Sequence, residues 1–300
     1  MSGMMDTEHT EDYGDEVEDD SFEAVITNRA SFSQAIEIVS HTLNTAVISL
    51  EQADEEKVTM RIDAIDSSHC CAVKMRMTCT GTVATSGAFF AVKLKTLKEM
   101  LKILPVSDTV TLGRDNGSDT ISIKSRSSEK ITHTMPTLND EYEPVPIENI
   151  QSLYTVNFET SKLKSYMRLA ASLKCTKISI KVHELESSNT MGRIVLVFGL
   201  RGDEGETNFE YDFTKEFRDD GNYDPVFSDG DTAQRTLDEK SIRHAATYDC
   251  KYIEQFVRSM ERQAIILSFD NNKPLVIEYA LGQEDASVRF LLAPHVDEAT

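Results

Sequence analysis

The second half of this chain repeats the first, and that duplication restricts its architecture more than any single motif does. Phe22, Ala24 and Ile26 alternate with polar residues as in a half-buried strand, and Tyr154, Val156 and Phe158 do the same. Each strand runs into a helix signal. Ser31 is placed to cap a helix with Phe32, Ala35, Ile36 and Val39 on one face, and Ser161 to cap one with Leu163, Tyr166, Met167 and Ala170 at the same spacing. Downstream, Leu97, Met100, Leu101 and Leu104 predict a short helix, Val110 and Leu112 a strand, and residues 115–118 a turn. The order recurs with Tyr252, Phe256 and Val257, then Ile265 and Leu267, a turn over 270–273 and a returning strand over 275–279. Between the helices lie strand-like segments over 46–50, 58–65 and 70–79 in the first half, and over 178–183, 194–201 and 207–213 in the second. A unit ordered strand, helix, meander, helix, hairpin is α+β, with helices on one face of an antiparallel sheet.

The punctuation between the repeats sets the boundaries. Residues 1–20 hold nine Asp or Glu and no Lys or Arg, so they bury too little to offset chain entropy and read as a disordered acidic tail. Residues 21–135 form the first unit, 136–151 a Pro- and acid-rich linker, and 152–300 the second unit. Within the second unit, residues 214–243 mix Gly, Pro and Asp without periodicity and read as a long polar surface loop.

Charge is segregated along the chain. With 31 Lys and Arg against 51 Asp and Glu the net charge is −20, so the average surface repels phosphate and membranes. Three helix-bearing segments run the other way. Lys162, Lys164, Arg168, Lys174 and Lys177 stand without any acid; Lys93, Lys95, Lys98 and Lys102 face only Glu99; Lys251, Arg258 and Arg262 face Glu254 and Glu261. If the helices share one face, an acidic protein acquires a basic surface that holds a phosphate backbone without reading sequence. Surface lysines can serve solubility alone, and the first helix, with Glu37 and only His41, fits that description; the other three do not.

Several chemistries are excluded or disfavoured. No apolar run approaches the ~20 residues of a membrane span, and the acidic start has no signal-peptide pattern, which predicts an intracellular chain. Five cysteines without a CxxC pair predict reduced, packed thiols rather than a disulfide framework or zinc site. Asp66, Ser68 and His69 are too close in sequence to form a nucleophilic triad, and His69, Cys70, Cys71 and Cys79 lack a second ligand cluster. There is no P-loop or GxGxxG, and Asn116-Gly117-Ser118 reads as a tight turn rather than a glycosylation site. No cofactor and no catalytic residue is expected.

Four strings, in order, carry a resemblance. They are Asp66-Ser67-Ser68-His69 after an apolar strand, the stretch from Phe90 through Leu94 to Leu101-Lys102, Pro274 through Tyr279, and Leu292-Ala293-Pro294 followed by acids. With the repeat and the linker, the chain resembles sliding clamps of the proliferating cell nuclear antigen type over nearly all of residues 22–297. The resemblance implies two clamp domains per chain and a homotrimeric ring, its helices lining a hole around duplex DNA and its antiparallel sheets outside. It implies a processivity factor that tethers DNA polymerase and other replication or repair proteins, is loaded by a separate clamp-loader ATPase, and works in the nucleus or at a viral replication site. The cationic residues named above become the expected DNA contacts. A partner-motif pocket is implied at Ile65, His69, Cys70, Ile147, Ile150, Pro274, Leu291, Leu292 and Ala293, with ordinary core the better reading of Cys70. Subunit pairing is implied near Thr120, Ile121, Ser122, Ile123 and Lys124 on one side and Arg193, Ile194, Val195, Leu196 and Val197 on the other. Leu291 replaces the Tyr of many members, and His183 stands where they have a regulated lysine, with Lys181 nearby. A subunit of a heterotrimeric checkpoint clamp and a DNA-processing enzyme are the alternatives.

Overall fold

The computed structural model describes residues 19–84, 87–105, 109–126, 130–138, 150, 152, 154–185, 193–217, 223–227, 241–260, 264–270, 273–282 and 286–295. Most of the acidic tail, most of the linker including Ile147, much of the 214–243 loop and Arg262 lie outside the described residues.

The first half runs β1 (Phe22–Ile26), α1 (Arg29–Val39), β2 (Thr45–Gln52), β3 (Lys57–Ile65), β4 (Cys71–Val83), β5 (Ala88–Lys93), α2 (Leu94–Ile103), β6 (Val110–Arg114), β7 (Thr120–Arg126) and β8 (Lys130–Pro136). The second runs β9 (Tyr154–Glu159), α3 (Thr160–Ser172), β10 (Lys177–Leu185), β11 (Arg193–Gly202), β12 (Gly205–Phe217), β13 (Tyr223–Phe227), β14 (Ile242–Asp249), α4 (Cys250–Arg258), β15 (Ala264–Phe269), β16 (Leu275–Ala280) and β17 (Ser287–Leu292). Apart from β13, every element has a counterpart in the other half. The segment expected to be a featureless loop instead extends β12 to Phe217 and adds β13 against it, with β14 starting at Ile242.

Capping differs from the sequence expectation. Asn28, not Ser31, caps α1, its Oδ1 accepting from the Ser31 amide at 3.0 Å. Ser31 sits inside the helix, where its hydroxyl donates to the Leu281 carbonyl at 2.5 Å. Helix α3 starts after Glu159 with no side-chain cap. Asx and Ser side chains both suit caps, so the choice is made by where the preceding strand ends.

All ladders among the described residues are antiparallel. Twelve strands form one sheet along β8-β7-β6-β1-β4-β17-β16-β15-β9, with β3, β2 and β5 branching from β4, and five form a second, β13-β12-β11-β10-β14. Strand β4 is the hub. Its first part pairs with β3 on one side and β17 on the other, and its last part turns to β1. Gly81 permits that close approach: its φ is +144°, and a Cβ there would lie 1.9 Å from the Glu23 carbonyl oxygen.

The two segments expected to pair between subunits are interior strands of their sheets. Strand β7, which holds Thr120, Ile121, Ser122, Ile123 and Lys124, is flanked by β6 and β8, and β11, which holds Arg193 to Val197, is flanked by β10 and β12. Their backbone ladders are already occupied on both sides. Unpaired ladder positions lie one strand further out: β8 pairs only with β7, and β12 has a partner beyond β11 only from Phe213 onward, among the described residues.

The helices form one layer in the order α2, α1, α4, α3, each packed on the next. Their apolar stripes meet the inward residues of the strands. In the second half Phe158, Tyr166, Phe198 and Tyr211 form an aromatic cluster, with Phe209 stacked on Tyr166 at 3.9 Å. Phe256 of α4 stacks on Phe290 of β17 at 4.0 Å.

Candidate functional site

The helix layer presents one continuous surface, and its charge is opposite to that of the chain. The four helices carry nine Lys and Arg against three carboxylates, Glu37, Glu99 and Glu254, in a protein of net charge −20. On α2 the buried set is Leu94, Leu97 and Leu101, which turns Lys95 and Lys102 to solvent. On α3, Leu163, Tyr166, Met167 and Ala170 are buried and Arg168 is exposed; on α4, Ile253, Phe256 and Val257 are buried, and Lys251 and Arg258 are exposed. Amphipathic periodicity thus decides which way the cations point.

Pairing trims this field only in part. Lys98 meets Glu37 at 3.1 Å, Lys102 meets Glu99 at 3.0 Å, and Lys162 meets Glu159 at 3.1 Å. Such exposed pairs stay exchangeable with another anion. Between α3 and α4 runs a cleft of about 320 Å³ lined by Lys164, Met167, Arg168, Glu254, Val257 and Arg258. At the α1–α4 boundary His41 approaches Ser259 Oγ at 2.5 Å. Burial, then Lys98 and Arg258, hold its imidazole below the usual histidine range.

Three of the expected phosphate contacts stand elsewhere. Lys93 ends β5, before α2 begins. Lys174 follows α3 with φ +57° and pairs with Glu204 at 2.6 Å. Lys177 opens β10 and lines a groove of about 670 Å³ on the face away from the helices, with Lys181, Arg201, Glu206 and Glu210. Strand alternation explains this last case, because Ile178, Ile180 and Val182 take the core side.

A second feature crosses the seam between the halves. Ile65, Ala72, Leu291 and Val276 stand directly opposite one another across β3, β4, β17 and β16, which makes an apolar row on the sheet face away from the helices. Ile65 is 41% exposed at its end. Ala293 closes the same corner, its amide donating to the Cys70 carbonyl at 2.9 Å, and Pro274 and Ile150 are half-buried. Leu292 does not belong to the row: it is 1% exposed and faces the core beside Cys71 and Leu275. Cys70, expected in the core, is exposed, and Cys71 is the buried thiol of the pair. Burial pushes the Cys79 and Cys250 thiols up to about 12, so neither is a nucleophile near neutrality.

The Asp66-Ser67-Ser68-His69 turn has a structural task that its sequence hid. Asp66 is 6% exposed and accepts from the amides of Ser68, Cys70 and Cys71, from the Ser68 hydroxyl, and from Tyr252 Oη of α4 at 2.6 Å. Burial by itself would raise its carboxyl, but the hydrogen bonds from Ser68, Tyr252 and the Cys71 amide outweigh it and hold the group down to about 2. Ser68 Oγ also lies 2.5 Å from Tyr252 Oη, so the serine is engaged across the seam. His69 takes φ +56° and is exposed. No signal in the sequence marked Tyr252 as the partner, since the pair is separated by nearly two hundred residues.

Among the described residues no group of His, Cys, Asp and Glu could hold a metal ion, and no helix is long and apolar enough to cross a membrane. No protein-family model matches the chain. Its structure is similar to that of the proliferating cellular nuclear antigen of Entamoeba histolytica, at 17% identity and TM-score 0.68, over 92% of this chain and 99% of that one. It is also similar to the PCNA of Thermococcus kodakaraensis, at 18% identity and TM-score 0.69, over 91% of this chain and all of the other. The chain therefore has the sliding-clamp fold.

Proposed function

We propose that this chain is a DNA sliding clamp, a ring that encircles duplex DNA and tethers polymerases and other replication or repair proteins to it. The observation that carries this reading is the single helix face with eight exposed or half-buried cations against three carboxylates in a chain of net charge −20. These cations, Lys98, Lys102 and Lys162 among them in ion pairs, can meet phosphates without any recognition of bases, whereas Arg29 is buried. A closed ring needs no tighter grip, because topology retains it while weak contacts let it slide.

The repeat supplies the means of closure. Within the chain the halves join where β17 pairs with β4, and the counterparts of those strands are β8, which pairs only with β7, and β12, which is unpaired beyond β11 before Phe213, among the described residues. Matching ladders fix the equivalence. Leu112, Ile123 and His133 correspond to Leu267, Ile277 and Phe290, and Leu50, Met60 and Met77 correspond to Val182, Leu196 and Tyr211. The seam sets Val288 opposite Met75 and Ser287 opposite Arg76. Copied between chains, it sets Ile131 of one subunit opposite Phe209 of the next and Lys130 opposite Glu210. An apolar pair then faces inward and an ion pair outward, and a second copy protects each open edge. Three copies would complete the ring, as in the family the sequence resembles.

The apolar row through Ile65 and Leu291 is the surface on which we place the short anchoring motif of polymerases and other clients, with a loader ATPase needed to open the ring. The expected place of action is the nucleus or a viral replication site. The reading is tested by measuring duplex binding against salt. Affinity should be independent of sequence and fall with salt, and losing Lys164 and Arg168 should reduce the slope of log K on log salt by about 0.9 for each contact removed. A slope unchanged by these substitutions would contradict it.

A further inference from the structure

On the outward face of the sheet the apolar row gives way to charge. Cys71, Val73 and Met75 of β4 are buried, so Ala72, Lys74 and Arg76 stand outward at alternate positions; the cations begin one step from the row and end about 14 Å along the strand. Register sets Asp63, Lys74, Arg289 and Glu278 side by side across β3, β4, β17 and β16, and beyond them Arg61 directly opposite Arg76. Each carboxylate of this patch already faces a cation. Glu278 meets Arg289 at 2.7 Å, Glu51 of β2 meets Arg61 at 3.0 Å, and Asp63 stands opposite Lys74. Arg76 is left over. It is exposed, makes no ion pair among the described residues, and has Arg61 and Ser287 as its direct neighbours across the two ladders. Like charges directly opposite on paired strands are destabilising, a cost that an anion seated between the two guanidiniums removes.

We propose that the client segment seated on the apolar row carries an acidic flank, whose carboxylate accepts hydrogen bonds from Arg76 and Arg61. The inference rests on the reading of that row as the client site. With an apolar anchor over Ile65 and Ala72, the flank runs along β4, and an Asp or Glu about four residues from the anchor reaches the arginine pair. Charge complementarity selects an acidic peptide over nucleic acid here. A duplex presents a continuous line of phosphates, and this patch interrupts its four cations with three carboxylates, whereas the helix layer sets eight accessible cations against three. One uncompensated charge suits one side-chain carboxylate. The arginine pair also confers specificity, because a chain of net charge −20 repels an acidic segment elsewhere and so fixes where along the sheet it lies. At physiological ionic strength screening confines that repulsion to about 8 Å, while a contact pair persists.

The test titrates the full chain, by fluorescence anisotropy, into synthetic peptides in which a one-turn helix with Leu and Phe anchors is flanked on its N- or C-terminal side by Glu, Gln or Lys. At physiological ionic strength one of the two Glu-flanked peptides should bind about fivefold tighter than its Gln counterpart, with the Lys form weakest. Arg76→Glu, which gives Arg61 an opposite charge across the ladder and should keep the unfolding midpoint, reverses this order so that the Lys form binds tightest. Equal affinities for the Glu and Gln peptides, or an order unchanged by Arg76→Glu, would overturn the proposal and leave the client reading standing. No preference for Glu together with duplex binding lost on Arg76→Glu would assign the patch to nucleic acid instead. Failure of every peptide to bind, or binding indifferent to Ile65→Glu, would refute the client reading and this inference with it.

Discussion

In the seam between β4 and β17 six consecutive residue pairs stand in antiparallel register, an apolar row covers one face, and Tyr252 reaches across to Asp66. At β8 and β12 stand the counterparts of those strands, with no ladder beyond β7 for the first and none beyond β11 before Phe213 for the second, among the described residues. One junction is made within the chain, and the proposed function assigns the other to a second copy. If the proposed ring forms, substitutions at the first junction should act on folding and those at the second on association.

The largest effect is expected at the closed seam. Asp66→Ala leaves the buried Cys71 amide, the part-buried Ser68 and Cys70 amides and Tyr252 Oη without this acceptor and should lower unfolding free energy by about 3 kcal/mol, read from chemical denaturation. The same carboxylate gives the pH dependence. Its folded pKa of about 2 lies below the ordinary value of 3.8, so its contribution is complete near neutrality and is lost as pH falls from about 4 towards 2. A stability curve flat through that acid range would remove Asp66 from the seam's account.

Next comes the open edge. Ile131→Asp should leave the unfolding midpoint of the isolated chain nearly unchanged while weakening association by about 2 kcal/mol, roughly thirtyfold, read as mass against concentration. Loss of fold without loss of association would invert the comparison. The charge pair is finer still. Lys130→Glu and Glu210→Lys should each weaken assembly by about 0.5 kcal/mol and together restore it, which fixes the register to the residue.

The sequence made the repeat, the helices' apolar stripes and the basic strips legible because each is a local periodicity. What it hid is pairing. No pattern in 120–124 or 193–197 says that a further strand, β8 or β12, lies outside each. Alternation also separates Leu291 from Leu292 and turns Lys177 away from the helices, and a one-residue choice decides each case. The Asp66–Tyr252 bond lay beyond any local signal, because it is made by the fold that it then secures.

Ring closure around DNA is tested most directly by loading the protein onto a nicked circular duplex, measuring its mass in solution, and following retention after the circle is cut. The account predicts an assembly of three times 33.6 kDa that stays on the circle at salt concentrations that abolish binding to linear DNA, and leaves once an end is made. A monomer at all concentrations, or equal retention on circular and linear DNA, would contradict it.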